Sequence, residues 1–204
     1  VNNWKKYFKS FTVGEFFIKP TWEEVDEEHK GMKMIEIDPG TAFGTGKHDT
    51  TQLCIKQLVE YVKDGDKVLD LGCGSGILSI VAKKLNASKV DMTDIDPAAI
   101  ELAKANAELA GVDDCITIEV KPVQETELYG DYGCLITNPP YGERLGEVKD
   151  VENMYRSLGG TMHGNETWST YVITSMEYFE KLFGKKASAK RKLFNGRIKI
   201  DYYQ

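Results

Sequence analysis

Apolar and polar positions change period several times along the chain, most clearly between residues 67 and 111. KVLDL (67–71) is an apolar run too short for a helix and predicts a buried strand. GCGSG (72–76) interrupts it, and ILSIVAKKL (77–85) resumes at helical spacing. KVDMTDID (89–96) predicts a second strand. Pro97 then opens the helix PAAIELAKANAELAG at a position proline tolerates, and Gly111 closes it. Upstream, residues 10–19 and GMKMIEID (31–38) predict short strands. Thr50 to Val62 places Cys54, Leu58, Tyr61 and Val62 at helical spacing, with Asp49 or Thr50 as N-cap. Downstream, CITIEV (115–120), CLITN (134–138) and WSTYVITS (168–175) predict three more strands, with no element assigned between the last two. MEYFEKLFG (176–184) predicts a helix, and RKLFNGRIKIDYYQ a hairpin turning at Asn195-Gly196. Strands alternating with helices imply an α/β, doubly wound, mostly parallel, Rossmann-like sheet, with the closing hairpin adding antiparallel strands at one edge.

Composition narrows the class. With 204 residues, 41% hydrophobic and 28% charged, the chain can bury one full α/β core. Its apolar runs are strand-sized, so no membrane span is expected. VNNWKKYFKSF has no continuous apolar core and does not read as a signal peptide. Cys54, Cys73, Cys115 and Cys134 are widely spaced, with no C-x-x-C pair. That spacing suits reduced thiols in a cytoplasmic protein and no metal site. The net charge of −6 hides an asymmetry. Glu23, Glu24, Asp26, Glu27 and Glu28 form an acidic block. Lys181, Lys185, Lys186, Lys190, Arg191, Lys192, Arg197 and Lys199 form a basic segment without acids. That segment is either a phosphate-binding face, which makes RNA a candidate partner, or a solvated hairpin face.

The candidate chemistry begins at VLDLGCGSG. Gly72, Gly74 and Gly76 let backbone pass close to a ligand. A dinucleotide fingerprint needs glycine at position 77, where Ile77 stands. An acid closing the second strand can accept both ribose hydroxyls; Asp94 is the first choice and Asp96 the near alternative. GTAFGTGKHDTT (40–51) fails as a P-loop: the gap from Gly40 to Gly46 is one residue too long, and His48 follows Lys47 where a hydroxyl is required. His48 is a lone histidine at a helix start. G-x-G-x-G after Asp70 resembles motif I of the class I S-adenosylmethionine methyltransferases. From NWKKYF through IKPTWEE, DPGTAFGTGKHDTT and LDLGCGSGILSIVAKKL to DIDPAAIELAKANAELAG, the chain is similar to the ribosomal-protein lysine methyltransferase family. The resemblance implies a seven-stranded methyltransferase sheet. It also implies S-adenosylmethionine held by Phe43, Thr45, Gly46, Asp70, Gly72, Cys73, Gly74, Gly76, Asp94 and Ile95, with an adenine-side residue at Val123 or Gln124. Residues 1–48 would supply strands and a cofactor-covering loop, and 49–204 the methyltransferase domain.

ITNPPYGERLGE (136–147) raises the acceptor. An exocyclic amine or an amide is a poor nucleophile because its lone pair is delocalised. The Asn138 side-chain carbonyl and the Pro139 backbone carbonyl can accept its two N–H groups and favour a pyramidal nitrogen. Pro139 and Pro140 stiffen the loop, and Tyr141 can stack on a flat acceptor. Asn138 would also border the cofactor. From about residue 115 to the end, ITNPPYGERLGE, WSTYVITS, YFEKLFGKKA and KRKLFNGRIKIDYYQ resemble a different family, the 23S ribosomal RNA guanine-N2 methyltransferases, often labelled N6-adenine-specific DNA methylases. The chain therefore reads as a join, with its seam near residues 111–120. On this reading neither family's N-terminal recognition domain is expected within these 204 residues. The leading expectation is N-methylation of an RNA base amine, guanine N2 first. The alternatives are methylation of lysine or glutamine in a ribosomal protein, and a scaffold that binds cofactor without transfer.

Overall fold

The computed structural model describes residues 9–39, 49–128, 130–137, 139, 148–195 and 198–204. They fall into two compact units, Val1–Val120 and Lys121–Gln204. The division follows Val120. It groups the N-terminal strands with the first Rossmann-like half rather than apart from it.

The first unit opens with three short strands, β1 (Phe11–Val13), β2 (Phe16–Pro20) and β3 (Lys33–Ile37). The single strand expected over 10–19 is a hairpin instead. Val13 pairs with Phe16 across Gly14 and Glu15, and Gly14 takes a φ of +56°. A glycine at the first central position is what a II′-type turn asks for. All five residues of β2 are buried, and Lys19 is neutralised by Glu36, its register partner in the parallel β2–β3 pair, at 2.5 Å. Helix α1 (Asp49–Tyr61) buries Cys54, Ile55 and Leu58, while Tyr61, expected on the same face, is exposed. Asp49 begins the described part of this helix, and the residue that would precede a cap there lies outside it.

The Rossmann-like half is a parallel ladder of β4 (Lys67–Leu71), β5 (Lys89–Asp94) and β6 (Ile116–Val120), in the order β4-β5-β6. Strand β4 appears where expected but is half-buried rather than buried, since it ends this ladder. Helices α2 (Ile77–Lys84) and α3 (Pro97–Leu109) cross between the strands. Both stop for the same local reason. Asn86 and Gly111 each take a left-handed φ one residue past the cap. The next N–H then bonds back five residues, Ala87 to the Ala82 carbonyl and Val112 to the Ala107 carbonyl, which satisfies the orphan carbonyls of the last turn. Asp96 caps the start of α3 through the Ala98 N–H, with Pro97 in the first turn as expected.

The second unit holds β7 (Gly133–Thr137), α4 (Val148–Met162), β8 (Trp168–Thr174), α5 (Phe179–Phe183), β9 (Lys190–Asn195) and β10 (Ile198–Tyr203). Its sheet runs β7-β8-β10-β9; β7 and β8 are parallel, and β10 pairs antiparallel with both β8 and β9. Thus β10 lies inside the sheet, and of the two hairpin strands β9 alone stands at an end of the order. The expected turn at Asn195-Gly196 lies partly outside the described residues. Helix α4 was not expected, and α5 is shorter than the run 176–184. Among the described residues strand pairing gives two three-stranded ladders, β1-β2-β3 and β4-β5-β6, and one four-stranded ladder, β7-β8-β10-β9; the single seven-stranded sheet implied by the family resemblance is not seen as one ladder. Among the described residues no helix is long and apolar enough to cross a membrane.

Candidate functional site

The glycine turn between β4 and α2 is held to the end of β5 by backbone. The Gly72 and Cys73 N–H groups both donate to the Thr93 carbonyl, at 2.8 and 2.9 Å. Gly72, Gly74 and Gly76 all have positive φ (+73°, +54° and +78°), a conformation that side chains resist. Gly76 is also packed closely: a Cβ there would sit 3.2 Å from the Ala103 side chain and 3.3 Å from the Met92 sulfur. Around Gly72 the same added atom meets nothing within 4 Å. One glycine of the turn is therefore needed for packing, while another leaves open space.

Asp94 closes β5 and is half-buried. Its Oδ2 accepts the Gly74 N–H at 3.0 Å, and its Oδ1 accepts the Asp96 N–H at 2.9 Å. An ionised carboxylate has about four acceptor sites, so each oxygen keeps capacity for another donor. Asp96, the near alternative, is committed through Oδ1 to the cap of α3. Between them the aliphatic side chain of Ile95 is 72% exposed.

Asp70 lies on β4, and the Ser79 hydroxyl donates to its Oδ2 at 2.7 Å. Burial pushes the Asp70 carboxyl up to about 6; the Ser79 bonds oppose that rise and the charge of Asp94 adds to it. Burial likewise raises the Cys73 thiol far above its ordinary range, with Asp70 and Asp94 contributing, so it stays a protonated, inert thiol. Cys54 is pushed up to about 12 by burial, then by Asp70.

The expected site residues Asp70, Gly72, Cys73, Gly74, Gly76, Asp94 and Ile95 therefore gather at the strand ends of the first unit. Val123 begins a single 3₁₀ turn, Val123–Glu125, in the second unit, and Pro139 is half-buried there. Phe43, Thr45, Gly46, His48, Asn138, Pro140 and Tyr141 lie outside the described residues, as does the side chain of Gln124. Sequence reasoning missed Ser79 and Asn106. Asn106 lies on the buried stripe of α3 with Ala99, Ala103 and Ala107, so a polar residue on an apolar face was the available signal.

These features fit a nucleoside: paired acceptors suit a diol, an exposed aliphatic side chain suits a flat purine, and a turn with glycine at alternate positions admits close approach.

Residues 1–138 match the family described as ribosomal protein L11 methyltransferase (PrmA). The ribosomal protein L11 methyltransferase of Lachnospira eligens is 59% identical over 113 residues, covering 55% of this chain and 36% of that protein. The chain thus spans well under half the length of such relatives. Among solved structures, the predicted N6-adenine-specific DNA methylase of Listeria monocytogenes superposes with a TM-score of 0.66 at 27% identity, over 84% of this chain and 60% of the other. The SMU.472 protein, solved in complex with S-adenosylhomocysteine (SAH), gives 0.64 at 28% identity, over 75% and 51%. The fold is that of an α/β methyltransferase.

Proposed function

The chain belongs to the ribosomal protein L11 methyltransferase (PrmA) family, and from that premise we propose that it is an S-adenosylmethionine-dependent N-methyltransferase acting on a ribosomal protein. The observation that carries this reading is Asp94. Its carboxylate is fixed at the end of β5 by two backbone N–H groups, beside a turn of three positive-φ glycines. The expectation of an RNA base as first choice gives way here. The family and the relatives it matches are named for a protein acceptor, so the ribosomal-protein reading takes its place.

When bound, S-adenosylmethionine supplies an electrophilic methyl on a sulfonium, already activated for transfer. The chain's task is to bind, orient and exclude water. Asp94 accepts the ribose hydroxyls, Ile95 covers one purine face, and the turn 72–76 lets the backbone approach the methionine portion. Phe43, Thr45 and Gly46 complete the cover, with Val123 or Gln124 on the adenine side. On the acceptor side, the Asn138 and Pro139 carbonyls accept N–H bonds from the nitrogen of lysine or glutamine, with Pro140 and Tyr141 shaping the approach. These interactions strengthen as the nitrogen gains positive charge, so they act mainly in the transition state. The resemblance of residues 115–204 to a second family favours reading the chain as a join, while the match to the first family runs on to residue 138, past the seam expected near 111–120.

Titration calorimetry with S-adenosylmethionine and SAH tests the cofactor half. The wild type should bind both, and Asp94→Ala should lose at least about tenfold in affinity, the loss of a charged acceptor to two donors. A folded wild type that binds neither would sink the proposal.

A further inference from the structure

Asn106 lies on α3, nine residues past Pro97, which opens that helix, and its side chain is fully buried (0% exposed). Its oxygen accepts the Asp38 N–H at 2.7 Å. Its nitrogen donates to the Asp38 carbonyl at 3.0 Å and to the Ser75 carbonyl at 2.9 Å. Both amide donors and the oxygen are therefore engaged, and the partners determine which way the amide faces. A flipped amide would aim its nitrogen at an N–H and its oxygen at two carbonyls. The three bonds span 68, 68 and 31 residues of sequence, so they are tertiary ties rather than local turns.

The places they tie have something in common. Asp38 follows the last residue of β3 and, with Pro39, leads into the glycine-rich stretch 40–48. Bonding of both its N–H and its carbonyl to one side chain extends the β3 ladder by a rung that no strand supplies. Ser75 lies inside the glycine turn, between Gly74, whose N–H donates to Asp94, and Gly76, which caps α2. One side chain thus fixes where the stretch 40–48 departs and where the glycine turn sits. Both segments are assigned to the cofactor in the reading above, on which this inference rests. We propose that Asn106 is a positioning residue for cofactor binding, holding the exit of β3 and the glycine turn in one geometry.

The chemistry sets the variants apart. Asn106→Ala leaves one N–H and two carbonyls without these bonds. Asn106→Ser keeps a single donor and is the milder change, folding if the alanine variant does not. Ile100→Val trims the same buried helix face, keeps the Asn106 amide, and reports a merely structural loss. The experiment combines hydrogen exchange by mass spectrometry with SAH titration, on the full chain. Exchange should accelerate at the amides of Asp38, Ser75 and Gly76 in the Asn106 variants and leave β5 and α2 protected. SAH affinity should fall about tenfold or more in Asn106→Ala and less in Asn106→Ser, with Ile100→Val within about twofold of wild type, since small misplacements are felt steeply at a preorganised site. Unchanged affinity in folded Asn106 variants overturns the proposal, as does acceleration spread evenly over the unit and matched by Ile100→Val. A wild type that binds no SAH overturns the cofactor reading itself, a result distinguishable from failure at Asn106 alone.

Discussion

Two carboxylates of the first unit differ in what the fold does with them. Asp94 is exposed enough to keep its acceptors available, whereas burial raises Asp70 to about 6 from an ordinary 3.8. The folded protein therefore holds that proton more tightly than the unfolded chain does. The stability this contributes is fully present below about pH 3.8 and is lost as pH rises through about 6. Asp70→Asn keeps an acceptor for the Ser79 hydroxyl and removes the charge. Thermal unfolding from pH 4 to 8 should show the variant gaining on wild type as pH rises and levelling off near 7, by on the order of 2 kcal/mol. A constant difference across that range would mean Asp70 ionises in the fold as it does in water. The choice between Asp94 and Asp96 shows how far residues could be read from sequence. Strand-end position favoured both nearly equally. The distinction came from backbone N–H groups, since Ala98 occupies the Asp96 oxygen while Gly74 and Asp96 converge on Asp94. Which amide reaches which carboxylate is a tertiary fact that spacing does not encode.

At the scale of elements, alternation and punctuation made most strands and the helices of the first unit legible. Pro97, Gly111 and the apolar runs mark their own boundaries. Helix α4 escaped because Gly159 and Gly160 sit side by side near its end, where glycine lowers helical propensity. The buried stripe Val151, Tyr155, Leu158 and Met162 is nonetheless helical in spacing. The two glycines have opposite reasons to be there. A Cβ on Gly159 would lie 2.1 Å from the Phe183 carbonyl oxygen, so α4 can pack on α5 only without it. A Cβ on Gly160 meets nothing within 4 Å. Gly159→Ala should therefore lower stability by about 1–3 kcal/mol through overpacking. Gly160→Ala should raise it by about 0.5–1 kcal/mol by restricting the unfolded chain and favouring helix. Denaturant titration of the two variants checks the pair. Equal effects of either sign would mean that α4 and α5 do not pack as described.

For the whole molecule, the question is which acceptor the two units serve. The first unit carries the family match and the cofactor geometry; the second carries the basic segment that made RNA attractive in the sequence. That segment is less available than its composition implies. Lys190 is bound to Asp201 at 2.9 Å and to the Tyr203 hydroxyl at 2.8 Å, and these partners raise its pKa further. It therefore acts as a tie between β9 and β10. Lys181, Lys185, Lys186, Arg191 and Lys192 are exposed on the edge strand β9 and the residues leading to it, and Lys199 is exposed on its neighbour β10. Charges on an edge strand need no ligand to explain them, because they also discourage pairing with another chain. The formal net charge of −6 points the same way, since a polyanion gains little from approaching a net-negative protein. Labelling a ribosome preparation with tritiated S-adenosylmethionine and this chain separates the acceptors. The label should survive ribonuclease and be released by protease. It should also be strongly reduced by Asn138→Ala, which removes the side-chain carbonyl proposed to orient the nitrogen, by about 10²-fold or more if that bond forms mainly in the transition state. Label released by ribonuclease would return the acceptor to RNA and leave the cofactor half of the argument standing. Protease-sensitive label indifferent to Asn138→Ala would keep the protein acceptor and place its recognition elsewhere in the chain.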